Sequence, residues 1–454
     1  MTKKIGLSLV TATLLTSSMA MAFEETKVTG GVKLWYQTQS HDETLAKNDE
    51  KTFFDREASS GDFVANIGIT SKANDHIGLG MKMYSATSLG LENNVVAAEA
   101  IGGTSNVYAG GGTNGQDPNP YWLGEAYMTY TAGNTIVKVG RQELDTPLAY
   151  SEKWNAAPNT FEATAIINND VPDTTIVAAY VARGNGHANT LTANTATVSG
   201  ATFNDYWGLT IDNNGDGVND DRGGAYALGI LNKTVESVPV NIWLYDVLET
   251  ASAQWLDVAV DVGPAKIQAL YSNVAPSGAT QTFLDGTAGK SQATTATAVK
   301  ASATFGDISA YAAMSQVSAG NLPVGNTATA FKKTKLYTAS IFSDGLYAAQ
   351  PDSQSMKLGA SMKMGEDSSL AVSYGTYNLG KNEESSGVSY TVVGAGGQTG
   401  ADESVSEIDV VYKTKVSDIN LAAMYMNQTN YDLDTDGKTS KDRSFIRIIA
   451  GIDF

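Results

Sequence analysis

Along most of the chain, apolar and polar residues alternate one by one. Val28, Gly30, Val32, Leu34 and Tyr36 interleave with Lys27, Thr29, Gly31, Lys33 and Trp35, and the pattern returns many times before the C-terminus. A period of two puts each set on its own face of a β-strand. One face takes Phe63, Ala65, Ile67 and Ile69, then Ile77, Leu79, Met81 and Met83, then Leu256, Val258, Val260 and Val262, then Met356, Leu358, Ala360 and Met362. The other takes Asn66, Thr70, Lys72, Lys82, Asp257, Asp261, Lys357 and Lys363. Each segment runs for roughly nine to eleven residues, the length a tilted strand needs to cross a bilayer. Lipid on one face and water on the other produce this alternation.

The connections alternate too, in length. Short turns are expected at 73–76, 131–134, 169–173, 233–237, 263–264, 306–307, 364–368 and 414–418. Long polar loops fall at 41–60, 88–120, 184–223, 275–296, 318–354, 378–403 and 429–443. Nineteen segments qualify as strands on a first count, but a barrel with both ends on one side needs an even number. The weakest is 335–343, where alternation fails at Thr338; it is assigned to the long external loop. The prediction is an all-β fold, a transmembrane antiparallel β-barrel of about 18 strands with short periplasmic turns and long extracellular loops.

The two ends fit an exported chain. Lys3 and Lys4 precede a short apolar run that ends at Ala20-Met21-Ala22, so residues 1–22 read as a cleaved signal peptide and 23–454 as one barrel domain. In the last strand Ile446, Ile448, Ala450, Ile452 and Phe454 share one face, and Phe445, Arg447, Ile449, Gly451 and Asp453 the other. A terminal Phe closing an alternating strand resembles the signal read by the barrel-assembly machinery of outer-membrane proteins.

Composition removes several function classes. After the N-terminal segment no stretch is apolar for long enough to be a transmembrane helix, and a mean hydropathy of −0.17 suits strands whose polar positions dilute the apolar ones. With 0 Cys there is neither disulfide framework nor thiolate chemistry. The net charge of −18, or −20 without Lys3 and Lys4, argues against a nucleic-acid partner. Gly289-Lys290-Ser291 and Gly437-Lys438-Thr439 lack the first glycine of a phosphate loop, Leu284 and Asp432 standing there, and no G-x-S-x-G or H-E-x-x-H occurs. No enzyme is read from this sequence.

Between Val137 and Arg183, Val139-Gly140-Arg141, Thr146-Pro147, Pro158-Asn159-Thr160-Phe161 and Asp173-Thr174-Thr175-Ile176 follow one another. This segment resembles the OprD-type family of outer-membrane porins of Gram-negative bacteria. The resemblance implies eighteen strands, location in the outer membrane, and a loop, here 144–159, that folds into the barrel as a constriction. Ala163 stands where the family has Gly, and the chain's six Arg do not make up the family's arginine ladder. The expected function is passive, partly selective diffusion of small hydrophilic solutes; the alternative is a surface adhesin or structural outer-membrane protein without a transport role. Expected partners are solutes and ions, outer-membrane lipid and lipopolysaccharide, and the barrel-assembly machinery. A homotrimer is compatible, though nothing in the sequence marks an interface.

Strand parity and the resemblance together give candidate pore-lining or constriction residues: Lys33, Lys82, Glu125, Lys138, Arg141, Asp145, Glu162, Arg183, Lys300, Lys357 and Arg447. Channel water or a wall pair accounts for any one of them. Strict alternation turns Arg141 outward, so it needs a bulge or a position above the membrane to reach the pore. With an acidic exterior over a mixed lumen, a mild cation preference is expected. No cofactor is required. Two loops nevertheless carry alternate carboxylates with a Gly at the turn: Asp212, Asn214, Asp216 and Asp220, and Asp432, Asp434 and Asp436. Such oxygen sets suit Ca²⁺. Neither has a Glu at the twelfth position, where Gly223 and Arg443 stand, and turn chemistry explains the same residues.

Overall fold

The computed structural model describes residues 24–41, 52–55, 58–87, 121–185, 204–205, 223–287, 290–328, 333–380, 403–433 and 440–454. The signal-peptide segment lies outside them. Alternation becomes strand at β1 Glu24–His41, β2 Ser59–Lys72, β3 Ile77–Thr87, β4 Tyr121–Ala132, β5 Thr135–Gln142, β6 Phe161–Asn168 and β7 Thr174–Gly184. A two-residue piece, β8 Asn204–Asp205, extends the loop-side end of β7. The series continues through β9 Ala225–Asn232, β10 Val240–Val247, β11 Ala251–Val262, β12 Ala265–Pro276, β13 Thr294–Phe305, β14 Ile308–Val317 and β15 Ser353–Met364. It ends with β16 Ser368–Leu379, β17 Glu403–Val416, β18 Ile419–Leu433 and β19 Ser440–Asp453. Apart from β8, these are the 18 staves of one closed antiparallel barrel.

Closure is a matter of backbone chemistry. An open sheet would leave a row of unpaired N–H and C=O groups at each edge. Here β1 pairs with β19 from Gly31↔Asp453 to His41↔Arg443. The chain's last residue completes the seam: Phe454 N–H donates to Gly30 O at 2.8 Å, and Gly30 N–H to Phe454 O at 2.9 Å. On the opposite rim from the long loops, turns are tight, and Gly263 (φ 62°) and Gly306 (φ 58°) supply the left-handed residue that two-residue hairpins require.

The outer wall is apolar in mid-strand, with Ile67, Met81, Met356 and Leu358 each more than half exposed. The inner wall carries the polar set and the fully buried Trp35, Tyr377, Phe445 and Arg447. What buries them is chain that folds back inside. Residues 143–160, between β5 and β6, and the described residues 318–328 and 333–352, between β14 and β15, pack on the inner wall at the loop-side half. Leu148, Leu322, Val324 and Leu336 of these loops join Trp243, Tyr245, Trp255, Leu270 and Val274 of the wall in one apolar cluster.

The second inward loop corrects an expectation. Segment 318–354 is predicted as an external loop, and 335–343 is indeed no strand, yet Thr338, Ser340 and Ser343 are buried against the barrel's interior. Its polar backbone is satisfied by the wall rather than by solvent: Tyr377 Oη donates to Thr338 O at 3.0 Å, and Lys357 Nζ to Ala339 O at 2.6 Å.

Candidate functional site

The first inward loop leaves β5 at Gln142, whose Nε2 donates across to Ala163 O at 2.9 Å. Pro147 and Pro158 cannot donate to a ladder, so pairing stops between them. The loop instead holds itself: Thr146 Oγ1 donates to Ala149 O (2.8 Å), and Glu152 N–H to Asn159 Oδ1 (2.8 Å). Its tip, Trp154, donates through Nε1 to Glu152 Oε2 at 2.8 Å and faces Trp35 with ring centroids 6.5 Å apart. The guanidinium of Arg447 lies 4.6 Å from the Trp35 ring and 5.1 Å from that of Trp154, while its Nε donates to Gln37 Oε1 at 2.8 Å. Lys33 ties the loop to β1 through Nζ to Asn155 O at 2.6 Å.

The second loop is clasped to the first by Asn326. Its Oδ1 accepts from Tyr150 N–H (3.1 Å), and its Nδ2 donates to Tyr150 O and Glu152 Oε1 (2.9 Å each). Thr327 Oγ1 donates to Leu148 O at 2.6 Å, and Lys335 pairs with Asp145 at 2.6 Å. Farther along, Glu407 of β17 accepts Phe342 N–H (2.8 Å), Ser343 N–H (2.9 Å) and Gln428 Nε2 (2.7 Å). Asp409 accepts Ile341 N–H at 3.3 Å and lies 3.8 Å from Lys357 Nζ. Burial pushes the Glu152 carboxyl above the usual range, opposed by Lys333 and by the bonds from Asn326 and Trp154. Burial and nearby Asp257 push the Tyr337 hydroxyl up to about 12.

Beneath the loops, toward the tight turns, lie two open volumes. One of about 680 Å³ is bounded by Trp154, Lys300, Tyr311, Lys357, Asp409 and Arg447 among others. The second, about 510 Å³, is bounded by Lys33, Lys82, Tyr84, Glu143, Lys153 and Asp453 among others. Together their walls carry eight basic side chains (Lys33, Lys82, Lys153, Lys300, Lys357, Lys413, Lys415, Arg447) against four acidic ones (Glu143, Asp367, Asp409, Asp453). The walls of these two volumes are thus basic in a protein of net charge −18.

Of the candidate pore residues, Lys33, Lys82, Lys300, Lys357 and Arg447 line these volumes. Lys138 lies inside over the Tyr127 ring, Glu125 sits opposite Lys82 on the neighbouring strand, and Asp145 is on the first loop. Three do not reach the lumen. Along β6, Phe161, Ala163 and Ala165 are buried inside and Ile166 is exposed outside, which turns Glu162 outward. Register brings Arg141 and Arg183 to the same outer face, where Arg141 Nε meets Glu162 Oε1 at 2.9 Å and Arg183 lies 4.0 Å from Oε2. The reason is local. The inner face here is covered by apolar residues, Leu144 and Ala149 of the loop with Phe161 and Ala163, so polarity along β6 is inverted. A bulge between Glu162/Ala163 and β7 then flips the parity expected for Arg183.

The calcium candidates Asp212, Asn214, Asp216, Asp220, Asp434 and Asp436 lie outside the described residues, as does the side chain of Asp432. Glu152, Lys153 and Asn326 are brought to the site without any signal in strand alternation, since they belong to loops.

No protein-family model matches the chain, and no curated protein matches it. Solved structures do. Pseudomonas aeruginosa OpdK with vanillate gives a TM-score of 0.67 at 12% identity, covering 95% of this chain and 99% of that one. Pseudomonas aeruginosa OccD3 (OpdP) gives 0.65 at 15%, covering 95% and 92%. Acinetobacter baumannii OccAB4 gives 0.66 at 11%, covering 94% and 98%. At such identities the likeness concerns the fold: this chain is built as the eighteen-stranded barrel of the Occ/OprD type.

Proposed function

We propose that the chain is an outer-membrane porin through which small hydrophilic solutes and ions diffuse passively, with loop 144–159 as part of its constriction. The observation that carries this reading is the pair of open volumes inside a closed barrel, walled by charged side chains and roofed by two inward loops. An apolar outer wall suits lipid, and a charged inner wall suits water. The twofold excess of basic over acidic residues in these walls supports an anion preference, against the cation preference expected from composition. Carboxylates of the outer face and loops act on a solute only through screened distances, whereas those eight cations stand beside it.

Planar-bilayer recording of the purified protein tests both parts. Conductance steps with an anion-selective reversal potential in a low-salt gradient are expected. Cation selectivity would refute the charge reading, and absence of conductance the channel itself. A second reading, a surface protein on a barrel with no through passage, is favoured by the apolar packing of both loops across the loop-side half. A silent bilayer would support it.

A further inference from the structure

Three lumenal lysines each lie over a tyrosine ring. Lys138 Nζ lies 3.7 Å from the centroid of the Tyr127 ring, Lys300 Nζ 4.7 Å from Tyr311, and Lys82 Nζ 5.2 Å from Tyr84. Each ring in turn lies flat over a glycine of an adjoining strand. Gly80 pairs directly with Tyr127, and Gly359 with Tyr311; a Cβ on either would run into the ring. A Cβ on Gly124 would come 2.6 Å from Tyr84 Cε2. The first two stacks share their register: Lys138 sits opposite Thr129, two residues from Tyr127, and Lys300 opposite Ala313, two residues from Tyr311.

Only glycine leaves room for a ring to lie against the sheet, and a ring so placed turns its electron-rich face to the lumen. A lysine one strand away, or for Lys82 two residues before Tyr84 on the same strand, can then lay its stem along the wall and its ammonium on the ring. We propose that these Lys–Tyr–Gly stacks are positioning devices: Tyr84, Tyr127 and Tyr311 keep three of the lumen's cations against the wall and so set both its free width and its charge profile. This rests on the channel reading. The volume beside Lys300 and Tyr311 is about 680 Å³, so a lysine swung into it takes a sizeable share.

Single-channel conductance at about 1 M salt, where the Debye length is about 3 Å and charge effects are muted, reads the width. Tyr311→Leu removes the ring and frees Lys300; a loss of conductance is expected. Tyr311→Phe keeps the ring face and should conduct like the unmodified protein. Lys300→Met in the Tyr311→Leu background should restore the lost conductance. A merely structural tyrosine would not give that rescue. Tyr127→Leu and Tyr127→Phe repeat the test on an independent stack should Tyr311→Leu fail to fold. Unchanged conductance in the Leu variants, equal loss in the Phe variants, or no rescue by Lys300→Met would each overturn the proposal while the channel reading stands. An unmodified protein that does not conduct would overturn both.

Discussion

Asn326→Ala should loosen the joint between the two inward loops. The side chain is fully buried and makes four bonds: to Tyr150 N–H (3.1 Å), Tyr150 O (2.9 Å), Glu152 Oε1 (2.9 Å) and Ala328 N–H (3.2 Å). Three neutral bonds at about 1 kcal/mol each and one to a carboxylate at about 1.5–3 kcal/mol give a gross loss of about 5 kcal/mol. Water entering the space satisfies some of the orphaned groups and returns part of this, leaving about 3 kcal/mol, or roughly a hundredfold in the ratio of joined to separated loops. Thr327 and the Lys335–Asp145 pair still hold the joint, so separation is transient rather than complete. Hydrogen exchange should therefore quicken at Tyr150 and Ala328, and bilayer currents should become larger and noisier, with barrel melting unchanged. Asn326→Asp is a sterner control, since it sets a carboxylate against Tyr150 O and Glu152. Exchange at those two amides indistinguishable from the unmodified protein would show that the clasp does not hold the loops.

Glu152 gives a pH dependence with a definite sign: its pKa is raised in the folded loop above the usual 4.5, so its contribution to docking is complete below that value and is lost as pH rises through the raised one. Exchange protection of 143–160 should accordingly increase on acidification in this window, and Glu152→Gln should flatten the profile. Glu407→Ala removes the acceptor of Phe342 N–H, Ser343 N–H and Gln428 Nε2, and about 2–4 kcal/mol of loop docking with it; proteolysis within 333–352 should speed up, and equal cleavage rates would count against the role given to this carboxylate. Gly30→Val would bring a Cβ within 2.5 Å of Phe454 Cζ at the closing seam; a smaller heat-modifiable folded fraction on gels is expected, and full recovery of folded barrel would mean that the seam tolerates the clash.

Strand positions and facing were legible because lipid and water impose a two-residue period on every stave. Phe63, Ile67, Leu79, Met81, Leu256 and Met356 face out, as their spacing predicts. The eighteen-stave count followed from rejecting 335–343, and the tight turns fell where Gly, Asn and Asp punctuate the pattern. Alternation says nothing, however, about where a non-alternating segment goes. Segment 318–352 is polar enough to pass for a solvent loop, and only the inner wall shows why it is not one. Glu407, Asp409, Tyr377 and Lys357, separated from it in sequence, offer partners for its backbone.

The outward placement of Glu162 and Arg183, beside an Arg141 that lies where alternation puts it, follows from the same blindness, one step removed. Inside an empty barrel the inner face of β6 would meet water, and Glu162 would be the natural residue to turn toward it. Once the loop after β5 folds in, that stretch of inner wall meets Leu144 and Ala149, and the cheaper arrangement puts Phe161 and Ala163 inward. Turning Glu162 outward would strand a charge near lipid, but on the adjacent strand to either side the register supplies Arg141 and Arg183 to meet it. The outer-face ion cluster and the inward apolar loop are therefore two sides of one decision, made by a strand, β6, that carries no mark of it in isolation. The inward fold of 144–159, implied by family resemblance, held the clue: if that loop lays Leu144 and Ala149 on the wall, the strand they rest on must present its apolar face to the lumen.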